Sequence, residues 1–573
     1  MTATHGEWEP VADNAIPDEL IRYGGLATLD HRDLFVIHAV LLRTGRVLMF
    51  SGHTEDMHYA TVSFVFNPDT GTLTRIPFWP GMDMFCCHFV QLHTGQILAV
   101  GGSEIDYVTH SSVGANNLVV FDPTPTPGHP EGEWRPTMRT LNYGRWYPTA
   151  VLLGNGRVLV FSGRLGVADA RNPPFDICEP VEVVDPVTFR ARELTGADLE
   201  LPIYPGLHLA PNGKVYYTHT NWGREVDGPT TSALTVSGPT SGAWTQYPTS
   251  PTPDRREEGM SVLLPPAQDG KILLVGGSLA LDAGGTPLVR RPATVPFDRL
   301  GGATDATSAR ILDTSIDPPV WGSAAGAGSR TIHPRINGHL VLLPDATVFV
   351  CGGHNSYKWN ARPGTEPSLK AEIYTPSGAG AGFAEVAEMT DPRMYHSVAL
   401  LMPDGRVLTA GGADANASEP RLTTAPHDWP VGWPSELTWP AGTPLNRKNR
   451  QFYKPPYFFK GSRPEITRLS RNGTRTARLP YGGTITVTTP QAASIRAVAL
   501  MRPGAVTHHT DSEQRYVPLT FTRSGNDLTV TMLPATQANT APPGFYMLWI
   551  VDDQQRPCQR ARFVHVPLPG GAP

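Results

Sequence analysis

One short pattern recurs seven times along this chain: an apolar run, a tight polar turn, a second apolar run and a close of small residues. In order the copies are AVLLRTGRVLMFSG (39–52), FVQLHTGQILAVGG (89–102), AVLLGNGRVLVFSG (150–163), LHLAPNGKVYYTHT (207–220), SVLLPPAQDGKILLVGG (261–277), HLVLLPDATVFVCGG (339–353) and SVALLMPDGRVLTAGG (397–412). Each reads as a β-hairpin. From Gly52 to Gly412 the landmarks recur at a mean spacing of 60 residues, so the repeating unit is larger than one hairpin and carries loop insertions of unequal length. Several copies are followed by a third strand ending in proline: SFVFNP (63–68), LVVFDP (118–123), VEVVDP (181–186), AEIYTP (371–376) and QFYKPP (451–456).

Strand, turn, strand, Gly-Gly, loop, strand is the order of a four-stranded antiparallel blade, and kelch-type blades carry this Gly-Gly after the second strand. Seven landmarks therefore predict a seven-bladed β-propeller, in which radial closure leaves few exposed edges. Gly and Pro number 57 each, about a fifth of 573 residues, which favours many short strands and turns over helices. Ring closure is predicted to use a strand from the N-terminal segment, within Leu20 to Leu41. A Pro- and Trp-rich insertion at 413–449 interrupts the last blade and is placed on one face of the disc. Beyond it, TARLPYGGTITVTTP, YVPLTFTRSGNDLTVTMLP and GFYMLWIVDD alternate apolar and polar residues, the pattern of an immunoglobulin-like β-sandwich. Residues 1–460 are thus expected to form the propeller and 461–573 the sandwich.

Charge narrows the function. The net charge is -5, with 47 basic and 52 acidic residues spread along the chain, so no basic stripe invites nucleic acid or an anionic membrane. A small-molecule partner is expected. No apolar run reaches the ~18 residues of a membrane helix, and the start lacks a basic region followed by an apolar one; as written, the chain is expected to be soluble and without an export signal, its location undetermined. Five cysteines, Cys86, Cys87, Cys178, Cys351 and Cys558, form no Cys-x-x-Cys pair and give neither a disulfide framework nor a thiolate zinc site.

Four places carry reactive side chains. Cys86 and Cys87 precede the second landmark, Tyr143 and Tyr147 the third, and Tyr395-His396 the seventh; His508-His509 lie in the sandwich. Each has a plain structural reading: buried small cysteines, packed aromatics, a hydrogen-bonded Tyr-His pair, a solvated turn. Yet three sit immediately ahead of an inner hairpin, where blades converge on the axis. Tyr395 and His396 can both face one ion only if their strand begins irregularly, because regular strand geometry sends neighbours to opposite faces. Two phenols and two imidazoles form a nitrogen and oxygen donor set suited to Cu(II).

The segments DMFC (83–86), RWYP (145–148), YHSVALLMPDGRVL (395–408), the TH of 507–508 before a run ending in QR and PL, and APPGFYMLWIVD (541–552) together resemble the copper radical oxidases, the galactose oxidase and glyoxal oxidase group. The likeness runs from about residue 20 to the end and is nearer the glyoxal oxidase and bacterial members. It implies one copper ion held by Tyr147, Tyr395, His396 and His508, with Cys86 joined to Tyr147 through a thioether to form a radical cofactor. Tyr395 would take the substrate's hydroxyl proton, and Cys87, Tyr143 and His509 would fall to structural or supporting roles, with His509 the alternative to His508 as the ligand. The motifs do not assign the aromatic over the Tyr-Cys unit; Trp146 and Phe175 are the candidates. A primary alcohol or small aldehyde and O2 would be the substrates, hydrogen peroxide a product and a copper chaperone a partner. The competing reading is a kelch-type carbohydrate or cell-wall binding module without chemistry.

Overall fold

The computed structural model describes residues 2–11, 36–51, 61–78, 82–106, 111–165, 177–219, 231–247, 258–277, 308–324, 331–354, 367–378, 380–412 and 449–570. The insertion at 413–448 and Phe175 lie outside them. Among the described residues the chain is almost entirely β, with one four-residue α-helix, Thr2–His5, and a few short 3-10 turns. No helix is long and apolar enough to cross a membrane.

Each hairpin landmark forms the two inner strands of one blade. Blade 1 starts at His38–Leu41, blade 2 at His88–Gln91, blade 3 at Thr149–Leu152, blade 4 at Gly206–Leu209, blade 5 at Met260–Leu263, blade 6 at His339–Leu342 and blade 7 at Ser397–Leu401. The proline-ended runs supply the third strands, as Val62–Phe66, Asn117–Asp122, Glu182–Val184, Ala371–Thr375 and Arg450–Lys454. Closure differs from expectation. The outermost strand of blade 7 is Glu7–Trp8, paired antiparallel with Arg450–Lys454 through Glu7 opposite Lys454 and Trp8 opposite Tyr453. Of the stretch predicted to close the ring, residues 20–35 lie outside the described residues, and His38–Leu41 is instead the first of the four strands that blade 1 takes from the propeller chain. Trp8 holds the closing strand because it is buried against Tyr453, ring centroids 5.0 Å apart, and gives its indole proton to the Ala387 carbonyl.

Apolar side chains from neighbouring blades interlock along shared seams. Val90 and Leu98 of blade 2 share one buried cluster with Ala150 and Leu152 of blade 3, and Leu159 of blade 3 shares another with Leu207 of blade 4. Burial of each such side chain contributes roughly 1.5–3 kcal/mol. The Gly-Gly pairs are the polar part of the seam. The second glycine's N–H donates to the carbonyl of an arginine in the next blade: Gly102 to Arg145 at 3.0 Å, Gly277 to Arg335 at 3.0 Å and Gly353 to Arg393 at 2.6 Å. A Cβ on Gly411 would sit 1.9 Å from the Val36 carbonyl oxygen of blade 1, so that approach excludes any side chain.

The C-terminal strands make two sheets that share the nine-residue strand Tyr516–Ser524. Its first part, 516–519, pairs with Ile495–Met501, and its second, 520–524, with Asp527–Thr531. This is a sandwich whose long strand passes from one sheet to the other. The segment 505–515 leaves that sandwich and lines the middle of the propeller. Ala505–Thr507 adds a fifth strand to blade 1. Glu513 accepts from the Gln91 N–H of blade 2, Ser512 donates to Ala150 O of blade 3, Arg515 to Leu209 O of blade 4, and Gln514 accepts from the Leu342 N–H of blade 6. Five blades thus grip one segment, which fixes where His508 arrives.

Candidate metal centre

Three blades aim a side chain at the axis by the same device. In blades 3, 6 and 7 a buried arginine stands two residues before the axial residue: Arg145 before Tyr147, Arg335 before Asn337, Arg393 before Tyr395. Each guanidinium donates to the carbonyl closing its own second strand, Ser162 at 2.7 Å, Gly352 at 3.0 Å and Gly411 at 3.0 Å. Each also reaches the third-strand side, at Glu182 (2.9 Å), Glu372 (3.0 Å) and Asn449 (2.8 Å). Arg145 and Glu182 are fully buried. Arg145→Ala is therefore expected to cost about 3–5 kcal/mol, because Glu182 is left charged and unpaired; chemical denaturation measures it. Arg145→Lys should recover only part, since an ammonium cannot span the same forked set of acceptors.

Residues just ahead of the inner strands carry positive φ: Cys86 at 57°, Tyr147 at 62°, Tyr204 at 44°, Glu258 at 59°, Asn337 at 57° and His396 at 64°. The left-handed turn at His396 is the irregular start that the Tyr395-His396 pair required. Their rings lie 3.9 Å apart between centroids, inclined by only 31°, so both serve one side of the site.

There the four chain regions meet. The Tyr147 and Tyr395 hydroxyls are 2.9 Å apart. Cys86 Sγ lies 3.4 Å from His508 Nε2, and the ligand atoms of Cys86, His396 and His508 all fall within 4.8 Å of one another. His396 and His508 meet edge to face at 4.4 Å. Tyr147 and Cys86 are joined twice, through the Tyr147 N–H to the Cys86 carbonyl at 3.1 Å and through their side chains. Cys86, Tyr147, Tyr395 and His508 are buried.

Burial sets the electrostatics. It pulls His396 down to about 3 and His508 well below the usual imidazole range, so both are neutral and keep a lone pair at neutral pH. Burial also pushes the Tyr147 and Tyr395 phenols and the Cys86 thiol well above their ordinary values. Those phenols would ionise here only beside a strong positive charge. Neutral imidazoles and phenols awaiting a cation fit a cupric ion by donor chemistry.

The remaining expected residues go elsewhere. Cys87 is packed with Met84 and Phe89 in the seam of blades 1 and 2, and Tyr143 donates to Glu193 at the surface, 2.9 Å. His509 is buried as well, and burial, followed by the neighbouring His339 and His219, holds its imidazole well below the usual range. Trp146 packs on Tyr147 at 4.4 Å but at 67°, edge on rather than stacked. Three axial residues escaped the sequence reading: Tyr204, which packs on Tyr147 at 4.7 Å and on His508 at 4.8 Å, Glu258 and Asn337, whose side chains are hydrogen-bonded at 3.0 Å. All three stand two residues before an inner strand, as do Cys86, Tyr147 and Tyr395, and IYP before blade 4 repeats the WYP before blade 3. Register alone would have found them.

Two family models match most of the chain. The family model described as Glyoxal oxidase N-terminus matches residues 52–428, and that described as Galactose oxidase-like, Early set domain matches 463–566. A WSC domain-containing protein of Arthroderma benhamiae is 28% identical over 82% of this chain and 44% of its own length. A galactose oxidase of Gibberella zeae is 25% identical over 89% of this chain and 65% of its own. The chain thus spans less than two thirds of those two relatives. The aldehyde oxidase GLOX of Vitis pseudoreticulata is 24% identical, covering 96% of this chain and 95% of that one. A solved structure described as a novel fungal alcohol oxidase of the AA5 family in complex with copper shares the fold, with TM-score 0.69 and 23% identity over 99% of this chain and 100% of that one.

Proposed function

Because the chain belongs to the glyoxal oxidase family, with a galactose oxidase-like early set domain after it, we propose that it is a copper radical oxidase of primary alcohols or small aldehydes. The observation that carries the reading is the meeting of Tyr147, Tyr395, Cys86, His396 and His508 at the propeller axis. Tyr147, Tyr395, His396 and His508 would hold the ion. Copper, when bound, supplies one of the two one-electron acceptors that oxidation of an alcohol requires.

The residues divide the remaining work. Tyr395, as phenolate, takes the hydroxyl proton of the substrate at Oη. The Tyr147-Cys86 unit, joined by a thioether and oxidised by one electron, takes the hydrogen from the adjacent carbon. Alcohol and O2 then leave as aldehyde and hydrogen peroxide, and a hydrated aldehyde by the same balance as acid and peroxide. Burial of the site keeps bulk water from the radical. Glu258 and Asn337 make the axial ring polar on blades 5 and 6, which suits substrates bringing a second hydroxyl.

Peroxide release tests this. Copper-loaded protein offered primary alcohols, diols and small aldehydes should generate peroxide in proportion to bound copper. Tyr395→Phe should lower the rate about a hundredfold or more, the scale of losing a general base. Protein that binds copper but yields no peroxide with any of them would leave the binding-module reading in its place.

A further inference from the structure

His508 is the one residue of the centre that arrives from the sandwich, and its own backbone is in a left-handed turn, φ 47°. Something must decide which of its two nitrogens faces the ion. Thr507 Oγ1 lies 2.7 Å from His508 Nδ1 and also 2.7 Å from His38 Nδ1. All three residues are wholly buried. The arrangement follows from strand pairing: His38 and Thr507 are direct partners in the antiparallel ladder between His38–Leu41 and Ala505–Thr507. His38 is held in turn by stacking on Phe50, centroids 4.5 Å apart.

A hydroxyl carries a single proton, so Thr507 can donate to only one imidazole and must accept from the other. His508 Nε2 is the nitrogen turned toward Cys86 Sγ and therefore toward the centre, where a ligand needs its lone pair. Its Nδ1 then holds the proton and donates to Thr507, whose own proton passes to His38 Nδ1. The Tyr204 hydroxyl, also beside Thr507, gives its proton to the Cys87 carbonyl at 2.7 Å, so it does not donate to Thr507, which still accepts from His508 Nδ1. We propose that Thr507, backed by His38, is a positioning residue that fixes the tautomer and orientation of His508 and presents Nε2 to the metal before any metal arrives. This rests on the reading of His508 as a ligand. It makes the inner strand of blade 1 part of the metal centre although it contributes no ligand.

Thr507→Val removes the hydroxyl at constant shape, and Thr507→Ser keeps it. Copper affinity by chelator competition and the cupric spin-resonance spectrum are the readouts, with the melting temperature of the metal-free protein as a control. Thr507→Val is expected to bind copper roughly ten- to a hundredfold more weakly, the usual loss on removing a partner of a metal-bound imidazole, with an altered nitrogen hyperfine pattern. Thr507→Ser should match the parent in both. His38→Phe should weaken binding too, and the double variant should be no weaker than Thr507→Val alone. A folded Thr507→Val protein with parental affinity and spectrum would overturn the positioning role alone, as would fully additive losses in the double variant. A parent that binds no copper, or His508→Ala that binds it undiminished, would sink the ligand reading together with this inference.

Discussion

Cys86→Ala is expected to keep its copper and lose about a thousandfold in turnover, equivalent to ~4 kcal/mol of barrier. The two halves of that expectation have separate causes. Cys86 is wholly buried, and burial holds its thiol well above the ordinary range, so it offers the metal-free centre a neutral sulfur beside His508 rather than a thiolate ligand. Removing it leaves two imidazoles and two phenols in place, and affinity should hold. In the proposed reaction turnover would depend instead on how easily Tyr147 gives up an electron, and a thioether on its ring would make the phenol easier to oxidise. Without sulfur the radical must form on an unmodified phenol packed between Trp146 and Tyr204. Intact mass separates this from simple damage. The parent, treated with copper and air, should become lighter by two hydrogens as the Cys86–Tyr147 bond forms, and the variant should not change. A variant as active as the parent would remove Tyr147-Cys86 from the mechanism, whatever its copper content.

Local pattern carried the fold far because each blade is built from contacts close in sequence. Hairpins, Gly-Gly closes and proline-ended third strands could be read in order, and the Tyr395-His396 pair required an irregular strand start, which His396 at φ 64° supplies. Closure was less legible. Glu7–Trp8 is a two-residue strand with no alternation to reveal it, and its partner lies at the far end of the chain. The missed axial residues show a different gap. Glu258 and Asn337 are not metal-ligand types in a telling spacing, so a search by chemistry passes over them, whereas counting back two residues from every inner strand finds them at once. Thr507 and His38, 469 residues apart, are coupled only because the sandwich sends a strand into the propeller, and no local signal encodes that pairing.

Acid should unfold the metal-free chain at a pH well above the carboxylate range. Burial drives His88, His208 and His339 down to about 3 and His219 to about 4, whereas in the unfolded chain each would titrate near ~6.5. The folded value is the lower one, so between pH 6.5 and 4 the unfolded chain binds protons that the folded chain refuses. Stability is then complete above 6.5 and is lost as pH falls through this window. Four such groups give a slope approaching about 5 kcal/mol per pH unit, against a total of about 5–15 kcal/mol for an ordinary domain. The positions of these rings make the loss cooperative. His208 of blade 4 is bonded to Ser261 of blade 5 at 2.6 Å, and His339 of blade 6 to Ser397 of blade 7 at 2.8 Å, so hydrating a protonated imidazole requires opening a seam between blades. Urea midpoints measured from pH 7.5 down to 5 should fall steeply below about 6.5, and His88→Phe should reduce the slope by about one proton. A midpoint that stays level across that range would mean these buried histidines already have water beside them, and the closed blade seams inferred from their burial would be wrong.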